Sequence, residues 1–151
     1  MTREELQQAI ASRFSEFSFE EGGQFLNVQV PAEQWLSFSG FLRDMDDMLF
    51  DFLFCLTCVD WKTKLTMVYH LRSYTHGHEL VVKCDLNREK PEIESVAMAW
   101  RTAEFHEREV FELFGVNFLH HPDLRNLILP DEWEGYPLRK DYEDPINMIK
   151  L

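Results

Sequence analysis

The sequence has only three cysteines, at positions 55, 58 and 84. An iron–sulfur cluster normally takes four thiolates, and no ligand pairs here have the spacing of a zinc site. Cys55 and Cys58 form a C-x-x-C, which can indicate a thiol–disulfide pair. They lie in the apolar run FLFCLTCV, where residues three apart on a strand point to opposite faces. We interpret them as buried structural cysteines.

Sequence motifs that bind cofactors are missing as well. The chain has no G-x-G-x-x-G, no phosphate-binding G-x-x-x-x-G-K-[ST] and no H-E-x-x-H. His76 and His78 could share a metal ion, but they fall in a predicted hairpin turn without a third ligand nearby. This pattern favours a solvated turn. We therefore predict that the chain binds no metal or cofactor of its own.

Basic residues are scarce, because 15 Lys and Arg stand against 27 Asp and Glu and give a formal net charge of −12. Proteins that bind nucleic acid neutralise phosphates with a basic surface, and anionic lipids attract basic segments. Neither nucleic acid nor direct lipid binding is expected.

Long apolar runs are absent too. A membrane-spanning helix needs about 18 consecutive apolar residues, whereas the longest apolar stretch, residues 48–59, is interrupted by Asp51. The first residues, MTREE, contain no apolar run typical of a secretory signal. We expect no membrane insertion and a cytoplasmic location.

The chain is predicted to fold into a domain with a hydrophobic core, since hydrophobic residues make up 45% of it. Thr2 and Glu5 form a capping box before a helical pattern, and Pro31 suits the first turn of a second helix. Alternating or apolar runs predict strands at 24–30, 52–61, 65–72 and 79–86, the last three joined by antiparallel hairpins. After Pro91 a helical stretch is predicted up to Gly115. These elements predict a mostly antiparallel four-stranded sheet with helices packed on it.

The last part of the chain differs in character. Residues 116–151 contain four prolines, at positions 122, 130, 137 and 145, and no sustained periodicity. They nevertheless carry many large apolar side chains, among them Leu127, Ile128 and Trp133. We predict an α+β domain at 1–115 and an extended tail at 116–151. The tail could fold back on the domain, but we favour binding along a partner's surface.

The segment Ala103–Gly115 (AEFHEREVFELFG) forms an apolar helical face at about 100° per residue. Glu107 falls in the middle of this face, so its carboxylate must be paired, hydrogen-bonded or protonated. Arg125, Arg139 and Lys140 are its candidate partners within the chain. Arg108 is predicted on the solvated side, in an ion-pair ladder with the glutamates at 104 and 112.

A second dense segment, Gly135–Tyr142 (GYPLRKDY), contains Arg139 and Lys140, the only adjacent basic pair in an acidic tail. An arginine there can contact a partner's carboxylate through two hydrogen bonds.

Together the two segments resemble the C-type subunit of proton-pumping NADH–quinone oxidoreductase (respiratory complex I). The family's E-R-E motif and the acidic residue after it appear here as Glu107-Arg108-Glu109 and Glu112. Its G-[IV]-x-F and H-P-x-L-R motifs are matched by 115–118 (GVNF) and 121–125 (HPDLR). Its W-x-G-x-P-L-R-K-D-Y motif is matched by Trp133, Gly135 and 137–142 (PLRKDY). The strong match covers about the last third of the chain, and Val59-Asp60-Trp61 is also compatible. The chain departs from the family at Asn126, where a second Arg is usual, and at Tyr136, where His is frequent.

The resemblance implies an α+β subunit of the peripheral arm, without a redox centre, on the cytoplasmic face of the cell membrane. It would dock onto the large quinone-site subunit and touch other peripheral-arm subunits, while NADH, FMN, iron–sulfur clusters and quinone belong to the rest of the complex. The residues implied in partner binding or local structure are Glu107, Arg108, Glu109, His121, Pro122, Arg125, Trp133, Arg139, Lys140 and Asp141.

Two other interpretations stay open at this point. Membrane-bound hydrogenase and formate hydrogenlyase complexes share this module, and a ferredoxin- or plastoquinone-linked complex is a further alternative, so the sequence does not fix the electron donor. A free-standing thiol–disulfide protein using Cys55 and Cys58 belongs to a different class, and a reactive thiol of low pKa would favour it.

The expected absence of a cofactor can be checked directly. Anaerobically purified chain should show no stoichiometric metal in elemental analysis and no flavin or cluster bands in its visible spectrum, because no complete ligand set is present. One equivalent of iron, zinc or flavin per chain would contradict this prediction.

Overall fold

The computed structural model describes residues 1–149. Its elements are α1 (Arg3–Arg13), β1 (Ser18–Glu20), β2 (Leu26–Gln29), a 3-10 turn (Ala32–Gln34), α2 (Trp35–Asp44), β3 (Phe52–Asp60), β4 (Lys64–Arg72), β5 (Glu79–Asn87), β6 (Glu92–Glu94), α3 (Ala103–Phe114) and β7 (Asn117–Leu119). The predicted α+β class is confirmed.

Local signals place the first helix correctly. The Thr2 side chain accepts a hydrogen bond from the backbone N–H of Glu5, and the Glu5 side chain accepts one from the backbone N–H of Thr2. Two N–H groups that the helix leaves without an internal partner are thereby satisfied. The capping box predicted from the sequence is confirmed.

The main sheet has five strands in the order β1-β2-β5-β4-β3. Both predicted hairpins, β3–β4 and β4–β5, are antiparallel, and β1 pairs antiparallel with β2. Strands β2 and β5 are parallel neighbours. The prediction of four strands was one short, because β1 has only three residues and too short a pattern to recognise.

The core lies between this sheet and the helices. Trp35 and Phe38 of α2 are fully buried, and the Trp35 ring lies 4.3 Å from the ring of Tyr69 on β4. The indole N–H of Trp100, just before α3, donates to the carbonyl of Phe50 at 2.7 Å. This bond fixes the start of α3 against the sheet edge at β3.

The segment before α3 differs from its prediction. Helix α3 begins at Ala103, not directly after Pro91, because residues 92–94 form β6 and pair in parallel with β7. This pairing joins segments more than twenty residues apart and leaves no local signal in the sequence. Gly115 ends α3 in the left-handed conformation (φ 79°), as predicted.

The histidine turn is only partly solvated. His76 is exposed, but His78 is buried and its Nε2 lies 2.7 Å from the carbonyl oxygen of Met48. The expectation of a solvated turn is therefore wrong for His78, because the loop before β3 covers it.

Within residues 1–149, none of the helices combines the length and the apolar character needed to cross a membrane.

Candidate partner-binding surface

Three charged side chains of α3 are buried, each with less than a tenth of its surface exposed: Glu107, Arg108 and Glu112. A charged group in the interior requires hydrogen-bond partners, since burial without them costs several kcal/mol or shifts the pKa of the group. Each buried neutral donor or acceptor left without a partner costs a further amount of about 1–3 kcal/mol. The partners are mostly backbone groups of the loops on either side of the helix, and they determine how those loops run.

Glu107 holds the loop that precedes α3. Its Oε1 accepts from the backbone N–H of Val96 at 2.8 Å, and its Oε2 accepts from the Ser95 hydroxyl at 2.5 Å. Burial raises the pKa of Glu107 to about 7, although the bonds from Ser95 and Val96 oppose this rise. The predicted burial of Glu107 is confirmed, but none of Arg125, Arg139 and Lys140 is its partner.

His121 stands on the other side of the same carboxylate. Its side chain is fully buried, and its Nε2 lies 3.6 Å from Oε2 of Glu107 and 3.0 Å from the carbonyl oxygen of Glu104. The backbone N–H of Asp123 donates to Nδ1 at 3.0 Å. Since Nδ1 is an acceptor, the proton lies on Nε2 and points to the Glu104 carbonyl.

Arg108 does not lie in a solvated ladder, as the sequence predicted. Its Nε donates to the carbonyl of Arg125 at 3.1 Å and its Nη2 to that of Asn126 at 3.0 Å. The guanidinium carbon also lies 5.5 Å from the ring centroid of Phe105. The helical wheel misplaced Arg108 because it could not include the tail, which folds over this side of α3.

Glu112 binds three consecutive backbone N–H groups of the tail. Its carboxylate oxygens accept from Leu127, Ile128 and Leu129, each at 2.9 Å. Consecutive N–H groups that converge on an anion form a concave site for negative charge, here filled from within the chain. The loop 125–129 is thereby attached to α3 by both Arg108 and Glu112, and we call α3 with these contacts the clamp.

A second attachment lies at the end of β3. The Asp60 carboxylate accepts two hydrogen bonds from Arg88, both at 2.9 Å, and one from the backbone N–H of Lys140 at 2.9 Å. These bonds hold the pKa of Asp60 far below its usual range, the Arg88 contact contributing most. Arg88 also reaches Asp141 at 2.9 Å. Sequence reasoning did not predict a role for Asp60. The only signal was the Val59-Asp60-Trp61 pattern, which is compatible with the family resemblance.

A third attachment lies at the C-terminal end of α3. Arg139 donates through Nε to the carbonyl of Phe114 at 2.6 Å, and its guanidinium covers the Tyr136 ring at 4.9 Å. The backbone N–H of Leu138 donates to the carbonyl of Leu113 at 3.1 Å. A Cβ at Gly115 would lie 2.6 Å from the Tyr136 ring, so this position requires glycine both for its positive φ and for the close approach.

The side chains of the remaining sequence candidates take no part in these contacts. Glu109 is half-buried, Pro122 is exposed, and the exposed Arg125 side chain pairs only with Asp123 two residues away. Trp133 is 38% exposed. The described part of the chain, residues 1–149, contains no group of three or more His, Cys, Asp or Glu side chains that could hold a metal ion.

The attached tail presents apolar side chains to solvent. Large side chains that remain exposed in this segment are Leu127, Ile128, Trp133, Tyr136, Leu138, Ile146, Met148 and Ile149. The exposed fraction is 69% for Ile128 and 90% for Ile146. Phe105 on α3 is 56% exposed beside the same loop. Exposed apolar groups at this density are typical of surfaces that take part in protein–protein contacts.

The sequence pattern of one protein family, described as respiratory-chain NADH dehydrogenase, 30 Kd subunit, matches residues 28–146. This match includes the second half of β2, all later elements, the clamp and most of the tail. The chain belongs to this family.

Relatives in the 30 Kd subunit family include the NADH-quinone oxidoreductase C subunit of Chloroherpeton thalassium, 42% identical over 113 residues, which are 74% of this chain and 47% of that protein. The C subunit of Moorella thermoacetica is 39% identical over 89% of this chain and 91% of its own length. The C/D subunit of Phocaeicola vulgatus is 44% identical over 82% of this chain but only 24% of its own length. The chain thus spans less than half of two of these three relatives.

Two solved structures have a similar fold. The trypsin-resistant fragment (1-134) of Nqo5 has a TM-score of 0.71 at 29% identity and covers 82% of this chain and 100% of that one. A chain of the membrane-bound sulfane sulfur reductase, an archaeal respiratory membrane complex, has a TM-score of 0.78 at 28% identity, covering 95% of this chain and 86% of that one.

The raised pKa of Glu107 predicts a specific pH dependence of stability. The Glu107 carboxyl binds its proton more tightly in the folded state than in the unfolded state, so protonated Glu107 stabilises the fold. This stabilisation is fully present below pH 4.5 and is lost as pH rises through about 7, a loss of about 3 kcal/mol at most. Glu107→Gln mimics the protonated carboxyl. The wild type should therefore lose stability relative to Glu107→Gln between about pH 5 and about pH 8 in urea unfolding. A constant difference across this range would contradict the burial of an ionisable Glu107.

Proposed function

We propose that this chain is a cofactor-free peripheral-arm subunit of a proton-translocating NADH–quinone oxidoreductase that docks onto the quinone-site subunit. Membership of the 30 Kd subunit family supports the complex. The observation that carries the docking is the apolar surface of the attached tail, which residues 1–149 leave uncovered. Relatives named as C/D subunits support a close partnership, since a C-type chain there shares one polypeptide with the D-type chain, which we take as the quinone-site subunit.

The proposed task of the chain is positioning. A flexible segment loses conformational entropy when it binds, and this loss weakens the complex. The clamp and the Asp60 contacts fix residues 125–129 and 140–141 before any partner arrives. The tail therefore offers a preformed surface against which the quinone-site subunit can be held in one orientation.

The electron-transfer chemistry of such a complex would take place in neighbouring subunits, because the chain contributes no recognised cofactor motif. NADH, FMN, iron–sulfur clusters and quinone would bind there. Assembly onto the cytoplasmic face of the cell membrane would then depend on protein partners and would need no lipid contact, in keeping with the net charge of −12.

A second candidate is the equivalent subunit of a different respiratory membrane complex, in line with the hydrogenase and formate hydrogenlyase alternatives. The similarity to the sulfane sulfur reductase chain extends over 95% of this chain and favours it. Both candidate functions give the chain the same docking role. They differ in the electron donor and the electron acceptor that other subunits of the complex use.

A thiol–disulfide function fits the geometry poorly. Cys58 is buried, and burial together with the nearby Asp60 raises the pKa of its thiol to about 12. A reactive cysteine needs a thiolate near neutral pH and access to its substrate.

The docking proposal can be tested by co-expressing the full chain with the quinone-site subunit of the same organism and purifying through a tag on that subunit. Ile128→Ser removes an exposed apolar group without opening a cavity, so the fold should persist while co-purification falls by about tenfold. Leu36 on α2, 51% exposed and far from the tail in sequence, provides the matched control Leu36→Ser.

Unchanged melting temperatures should accompany both substitutions. The proposal fails if the wild-type chain does not co-purify with the quinone-site subunit, or if the substitutions at 128 and 36 have the same effect on co-purification.

A further inference from the structure

The tail forms an open cleft around Trp133. The cleft has a volume of about 350 Å³, and its walls include Glu132, Trp133, Glu134, Tyr142 and Ile146. The cleft therefore combines an aromatic face, an apolar side chain that is 90% exposed at Ile146 and the carboxylates of Glu132 and Glu134, with Glu143 and Asp144 also in its lining.

The charge around this cleft is one-sided. Residues 127–149 contain six acidic side chains and only two basic ones, Arg139 and Lys140. Both basic groups are directed toward the chain's own domain: Arg139 binds the carbonyl of Phe114, and Lys140 covers the ring of Trp61 at 6.0 Å. Among residues 1–149, neither Glu132 nor Glu134 has a hydrogen-bond or ion-pair partner.

A basic side chain matches these walls best. A guanidinium or ammonium group is attracted to the face of tryptophan and to carboxylates beside it, and arginine satisfies both with one planar group. An uncharged apolar segment would cover Trp133 and Ile146, but it would partly remove the carboxylates of Glu132 and Glu134 from water without giving them hydrogen-bond partners.

We propose that the docking face of the quinone-site subunit is basic, and that one of its arginine or lysine side chains enters the cleft against Trp133. This inference rests on the proposed function, because it specifies the chemistry of the same docking surface.

Other occupants fit less well. A second copy of this chain would bring a like-charged surface to the cleft, since the net charge is −12. A divalent metal ion would need a ligand group that residues 1–149 do not provide. An anionic lipid surface would be repelled by the six acidic side chains.

The test compares charge reversals in the complex purified through the tagged quinone-site subunit, across NaCl from about 0.05 M to about 0.5 M. Glu132→Lys with Glu134→Lys should weaken binding by about tenfold or more at low salt and flatten its salt dependence. Glu16→Lys with Glu21→Lys changes the net charge equally at exposed positions near β1, on the opposite sheet edge from β3, and should leave binding unchanged.

The aromatic wall is tested separately. Trp133→Ala should weaken binding, and Trp133→Phe should retain part of it because phenylalanine keeps a face for a cation. Each isolated variant should melt at the wild-type temperature, since these side chains are exposed.

The inference is overturned if the reversal at 132 and 134 leaves binding and its salt dependence as in the wild type, or if self-association of the chain accounts for the salt effect. In that case a loss with Ile128→Ser in the same assay would show that the proposed function still stands. Failure of the wild-type chain to bind the quinone-site subunit at all would overturn both.

Discussion

The burial of three charged side chains on one helix constrains the rest of this structure. Glu107, Arg108 and Glu112 are shielded from water, so each must find hydrogen-bonding groups of matching polarity. Ser95 and Val96 supply donors before α3, and the backbone of 125–129 supplies both acceptors and donors after it. Because these partners are mostly backbone groups, the requirement determines the path of two loops.

The path of these loops determines which side chains are exposed to solvent. Backbone N–H groups of Leu127 and Ile128 turn inward to Glu112, and their side chains are left exposed. At the other attachments, Asp60 accepts from the backbone N–H of Lys140, and the Arg139 side chain donates to the carbonyl at the end of α3. Buried and half-buried charged groups thus fix the tail to the domain, while many of the apolar side chains of the tail stay exposed to solvent. A tail without regular structure can therefore present a defined surface.

Local patterns predicted the parts of the fold that local interactions form. The capping box at Thr2, the β3–β4–β5 hairpins and the stop at Gly115 depend on residues close in sequence, and the burial of Glu107 follows from its place on the apolar face of α3. The strand pairing of β6 with β7 and the burial of Arg108 depend on contacts that a helical wheel does not contain. The partners of Glu107 were mispredicted for a related reason: arginine and lysine were considered, whereas a hydroxyl and an N–H satisfy the carboxylate. The domain division at Gly115 and the partner-binding roles of the sequence candidates stay predictions.

The central claim is that Glu112 fixes the tail onto α3 through three backbone amides, and residue-resolved hydrogen exchange of the isolated full chain tests it most directly. In the wild type the amides of Leu127, Ile128 and Leu129 should exchange slowly for a segment without regular structure. Glu112→Gln should speed their exchange by about tenfold or more while Tyr69 in β4 keeps its protection, because the loss is local. Fast exchange at all three amides already in the wild type, or equal protection in both proteins, would contradict the account.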